Sequence, residues 1–108
     1  MTEAIRRAAD PNAPRDEDSP QSSLPHRFDL IDAPALFDMT GVLYTGAKKY
    51  GDDSWRTISV QDHLNHLIAH AYAYLSGDRT DDHLSNIMCR AMFAKGRAIR
   101  DDQKGNFG

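Results

Sequence analysis

The sequence predicts an all-α fold: a small three-helix domain with an antiparallel hairpin between its second and third helices, behind an N-terminal tail. Three observations carry this. Apolar residues recur at spacings of three and four in three separate stretches. Each stretch opens at a cap or proline signal, and the first two close at glycine-containing turns. No stretch alternates polar and apolar residues as a half-buried strand does.

Residues 1–26 read as a flexible tail. Four of the five prolines lie there (Pro11, Pro14, Pro20 and Pro25), with Asp16, Glu17, Asp18, Ser19, Ser22 and Ser23 filling the gaps. Such a segment buries too little apolar surface to offset its ordering entropy. Within it, Glu3 to Ala9 has the makings of a short helical turn.

The helical domain is expected over residues 27–100. Arg27 to Ile31 reads as extended or turn-like. Asp32 then offers a capping oxygen, and Pro34 suits a first helical turn. Leu36, Met39, Leu43, Ala47 and Tyr50 carry the stripe of the first helix, which Gly51 ends. After a loop through Trp55, Ser59 caps a second helix running to about Leu75. Its stripe is Val60, Leu64, Leu67, Ala71, Tyr74 and Leu75. Ser76-Gly77-Asp78 is a stop and turn. Asp81 or Asp82 opens a third helix with Leu84, Ile87, Met88, Ala91, Lys95 and Ala98 inside. It is expected to fray near Asp101, leaving residues 101–108 loose. About 80 ordered residues make a thin core, so a homo-oligomer is expected. The short turn between the last two helices makes them an antiparallel hairpin.

Several function classes are excluded by composition. The formal net charge of −3 lacks the basic excess of a dedicated nucleic-acid binder. No apolar run reaches the roughly 20 residues of a membrane span, and the first residues lack a secretory apolar core. The chain therefore reads as cytoplasmic. A single cysteine, Cys89, excludes an internal disulfide and a Cys-rich metal module. Its apolar helical setting marks it as a buried structural thiol.

Helical arithmetic, at about 100° per residue, supplies the most informative feature. His63, His66 and His70 lie within about 60° of one another beside the second helix's stripe. His83, Asn86, Arg90 and Arg97 flank the stripe of the third. Packed antiparallel, the two flanks line one polar groove. The histidines can bind a transition metal, share in binding an anion or a base, or complete a core edge. Arg90 and Arg97 suit phosphate in a bidentate way or form a solvated face. Lys48 and Lys49 suit phosphate or complement the end of the first helix. Trp55 stacks on a base or caps the open end of the hairpin. For magnesium-dependent phosphate chemistry, hard oxygen ligands are needed. Both glutamates lie in the tail, so the folded part offers aspartates. Asp62 and Asp82 begin hairpin helices near the polar flank and are the candidate metal-holding catalytic acids, with helix-start positions as the plain alternative.

The run Arg27-Phe28-Asp29-Leu30-Ile31, then Gly46-Ala47-Lys48-Lys49-Tyr50-Gly51, Trp55, His66-Leu67, His83-Leu84 and Ala91-Met92-Phe93 resembles the N-terminal domain family of phage dATP/dGTP diphosphohydrolases. GAKKYG with a following tryptophan is its most specific part. The resemblance implies a phage or prophage origin, hence a host cytoplasm, and an architecture related to MazG-like pyrophosphohydrolases. Those enzymes cleave a nucleoside triphosphate to monophosphate and pyrophosphate with magnesium or manganese, which activates a water. Carried onto this chain, Lys48, Lys49 and Arg90 would hold the phosphates of a purine deoxynucleotide. His63, His66, His70, His83 and Asn86 would line the pocket, Trp55 would meet the base, and Asp62, Asp82 and His66 would hold the metal. The glutamate-rich pattern of those enzymes has no counterpart here. That leaves open a non-catalytic accessory protein that binds a nucleotide, a nucleotide signal or a host protein.

Overall fold

The computed structural model describes residues 25–107. The proposed tail, with the Glu3–Ala9 turn, lies outside the described residues except for Pro25 and His26, which are exposed. The chain divides into two units, residues 1–33 and 34–108. In the first unit, a short 3-10 helix spans Phe28–Leu30, where a turn was expected. Arg27 holds Asp29 through two hydrogen bonds of 2.8 Å.

Three helices and no strand occur among the described residues: α1 (Ala33–Tyr50), α2 (Val60–Leu75) and α3 (His83–Phe107). Their limits follow local chemistry. α1 starts directly after Asp32. It ends where Gly51 takes φ +99° and donates to the Ala47 carbonyl at 2.8 Å, a left-handed cap that glycine adopts without a Cβ penalty. Ser59 caps α2 by accepting from the Asp62 N–H at 3.1 Å. At the other end, Gly77 has φ +98° and donates to Tyr74, while Asp78 donates to Ala73. These are the paired bonds of a Schellman stop. Asp82 caps α3, accepting from both the N–H and the hydroxyl of Ser85.

α3 continues to Phe107, well beyond the expected fraying point at Asp101. Near that point, Arg97 reaches Asp101 one turn on, and Arg100 donates to the Gly96 carbonyl.

α2 and α3 form the expected antiparallel hairpin, but its inner faces differ from the predicted stripes. Leu64 and Leu75 of α2, and Leu84, Ala91 and Lys95 of α3, are exposed. His63 and His83 are buried instead. Both helices are rotated toward the flank read as polar. The reason is that each buried imidazole finds hydrogen-bond partners across the seam, which removes the cost of burying it. Cys89 is buried as expected. Its thiol donates to the Met39 carbonyl of α1 at 3.6 Å, and burial pushes its pKa up. The fully apolar core is small: Met39, Cys89 and Ala94.

Candidate functional site

The hairpin register sets the site. From the open end inward, Arg97 donates to the Arg56 carbonyl, Arg90 meets His63, and His70 meets His83. The imidazoles of α2 and the guanidinium side of α3 therefore share one seam.

At the open end, residues Ser54–Thr57 form a 3-10 turn that lays Trp55 on α3. Its ring stacks on Phe93, with centroids 5.3 Å apart and 8° between planes. A side chain at Gly96 would meet the indole at 3.3 Å, so this position must stay small. Arg56 and Arg100 lie over the indole at 4.7 and 5.4 Å. Trp55 thus caps the hairpin end. With Phe93 against it and two guanidinium groups over it, it meets a ligand as a wall rather than as a free stacking platform.

His63 is fully buried. Its Nε2–H donates to the Trp55 carbonyl at 2.9 Å. A carbonyl only accepts, so Nε2 carries the proton and Nδ1 is the acceptor for Arg90, 3.2 Å away. Burial lowers its pKa, and the charges of Arg90 and Arg97 add to that against the opposing pull of the Trp55 hydrogen bond. A neutral imidazole with both nitrogens engaged orients Arg90. His63 is also among the residues that line the cavity beside Arg90.

Arg90 faces a cavity of about 820 Å³ between α1 and the hairpin. His66 and Asn86 share its polar side; Val42, Leu43, Ala47 and Tyr50 of α1 form an apolar wall; Trp55 and Phe93 close one end. A guanidinium has five N–H donors, and His63 takes one, so the others can serve an anion. Asn86 is anchored through its amide to the Asp82 carbonyl at 2.9 Å and to Asp81 at 3.4 Å.

Several expected site residues sit elsewhere. Lys48 and Lys49 are exposed over the rings of Tyr44 and Tyr50, at 5.4 and 5.2 Å, and neither lines the cavity. His70 and His83 also lie outside it, one helical turn further along the seam. Asp62 and Asp82 each start a hairpin helix, and an antiparallel hairpin puts those starts at opposite ends. The set Asp62, Asp82 and His66 therefore does not converge on a metal, and Asp82 is occupied as a cap. Among the described residues, the one acid lining the cavity is Asp52, and no cluster of carboxylates for magnesium or manganese stands there. The sequence reading missed Phe93, three residues after Arg90 on the same face. It also read Asp78 and Asp81 only as turn and helix-start residues.

No curated protein and no solved structure matches the chain. A family model described as dATP/dGTP diphosphohydrolase, N-terminal, matches residues 15–106, which takes in the cavity and all the described elements but the last residue of α3, so the chain belongs to the dATP/dGTP diphosphohydrolase N-terminal family.

Proposed function

We propose that the domain binds a purine deoxynucleoside triphosphate in the cavity between α1 and the hairpin. The observation that carries this reading is Arg90, fixed by a buried neutral histidine and turned toward a cavity of about 820 Å³. That volume falls within the range of small-molecule sites, and the mix of an apolar wall with a few convergent polar groups is their usual make-up. Phosphate oxygens pair with Arg90, assisted by His66. The base lies along Val42, Leu43 and Tyr50. The family description adds the expected reaction, cleavage of dATP or dGTP to the monophosphate and pyrophosphate.

A second reading, a binder without turnover, is favoured by one observation. Among the described residues, the cavity lining offers a single acid, Asp52.

The same proposal includes self-association. Leu64, Ile68, Tyr72 and Leu75 form an exposed stripe at helical spacing on α2, with Tyr72 71% and Leu75 80% accessible. Leu84 and Met92 of α3 and Phe37 of α1 are exposed too. The described residues bury three apolar side chains, a thin core for a domain of this size, and a second copy of the chain supplies the missing cover.

The test is titration of the full chain with dATP, dGTP, dCTP and dTTP, read by Trp55 emission, followed by product analysis with divalent cations. Purine-selective binding with monophosphate and pyrophosphate as products supports the enzyme. Binding without products supports the second reading. No binding of any of the four removes both.

A further inference from the structure

We propose that His70, Asp81 and His83 bind a transition-metal ion of the zinc, cobalt or nickel class at the turn end of the hairpin. One ligand atom from each of the three lies within 4.8 Å of the others. The two Nδ1 atoms are 2.9 Å apart.

The tautomer of His83 is fixed by its other nitrogen. Nε2 lies 2.5 Å from the Asp78 carboxylate. The carboxylate accepts, so Nε2 carries the proton and Nδ1 turns its lone pair toward His70. Asp78 is held in place by the Thr80 hydroxyl, which donates to its carboxylate at 2.9 and 3.0 Å. A carboxylate behind a ligating imidazole is the common outer partner of a histidine metal ligand.

Without a metal, the facing Nδ1 atoms need a proton between them, donated by His70. With one, both lone pairs point at the ion. Zinc–nitrogen bonds of about 2.0–2.1 Å in a tetrahedral site put the two nitrogens about 3.3 Å apart. The present 2.9 Å needs an opening of a few tenths of an ångström. Asp81 is exposed. Its Oδ1 accepts from the Asp82 N–H at 2.8 Å and from Asn86, and its second oxygen is the one left for a metal.

Two imidazoles and one carboxylate suit zinc, cobalt or nickel better than magnesium, which prefers an all-oxygen shell. Three protein ligands leave a fourth position for water, the arrangement of sites that do chemistry rather than only hold a fold. His66 precedes His70 by four residues and Asn86 follows His83 by three, so the ion sits about one turn, roughly 5 Å, from the cavity. The site stands whether or not the cavity holds a nucleotide.

The experiment is titration of metal-stripped full-length chain with Co(II) and Zn(II), read by cobalt visible absorption, calorimetric stoichiometry and thermal shift. One ion per chain is expected, with a raised melting temperature. Asp81→Asn and His70→Gln should each lose most of the affinity. Asp78→Asn, which leaves the three ligands in place, should weaken it by about 10–100-fold. Far-UV circular dichroism checks that each variant is folded. Undiminished cobalt binding in folded Asp81→Asn and His70→Gln, or no binding by the native chain, overturns the assignment.

Discussion

His63 and Arg90 are joined across the hairpin by a 3.2 Å hydrogen bond in which the buried imidazole accepts and the guanidinium donates. That direction ties the charge of Arg90 to the neutrality of His63, and it divides the two residues by role.

Arg90 belongs to ligand binding. Arg90→Ala should weaken binding of dATP or dGTP by tenfold or more, because a hydrogen bond to a charged group contributes about 1.5–3 kcal/mol. Arg90→Lys should recover little of it, since an ammonium lacks the planar fork. Titration by Trp55 emission measures both; Arg90→Ala should also lower the melting temperature, because it leaves the buried Nδ1 of His63 without its donor.

His63 belongs to stability. His63→Ala leaves the Trp55 carbonyl without its donor and opens a void beside Phe93. A loss of about 2–4 kcal/mol is expected from those two effects together. Chemical denaturation should register it, with Trp55 emission shifting toward that of an exposed indole.

Acid should destabilise the domain through the same residue. The folded pKa of His63 lies below the ordinary 6.5, with burial the largest cause. Below pH 6.5 the unfolded chain takes up a proton that the folded chain refuses, so stability falls as pH drops from there toward the folded pKa. Arg90 and Arg97 face the ring and add to the effect. Melting temperature should decline on acidification below pH 6.5, and the decline should be shallower in His63→Ala.

Gly96 is needed for the tryptophan lid. A leucine there would drive into the indole, which already stands 3.3 Å from the place of a first carbon. Gly96→Leu should lower the melting temperature despite leucine's better helix propensity, worth about 1 kcal/mol over glycine. Trp55 emission should change in the same variant.

The exposed stripe of α2 should bury itself against another copy. Light scattering should give a dimer or larger species at micromolar concentration, and Leu64→Glu with Tyr72→Glu should shift it toward monomer. A native chain that stays monomeric contradicts the self-association.

All helix limits but the C-terminal end of α3 were legible in the sequence because they rest on local chemistry: Ser59, Asp82, Gly51 and Gly77 act within a turn of where they stand. The shared seam of α2 and α3 was legible from helical periodicity. The rotation of the helices was not. Periodicity ranks Leu64 above His63 for burial, and only the pairing of His63 with Trp55 and Arg90, residues 8 and 27 positions away, reverses that order. The carboxylate pair failed for a topological reason, since Asp62 and Asp82 start helices that run in opposite directions. Asp81 and Asp78 were hidden by their turn chemistry, which gives an aspartate ample local reason to be there.

The most direct measurement is a crystal structure of the chain grown with dATP or dGTP. Triphosphate density on the Arg90 guanidinium, with the purine along Val42, Leu43 and Tyr50, is the expected result. A nucleotide bound away from Arg90, or none at saturating concentration in a crystal form that leaves the cavity open, would contradict the assignment of this cavity.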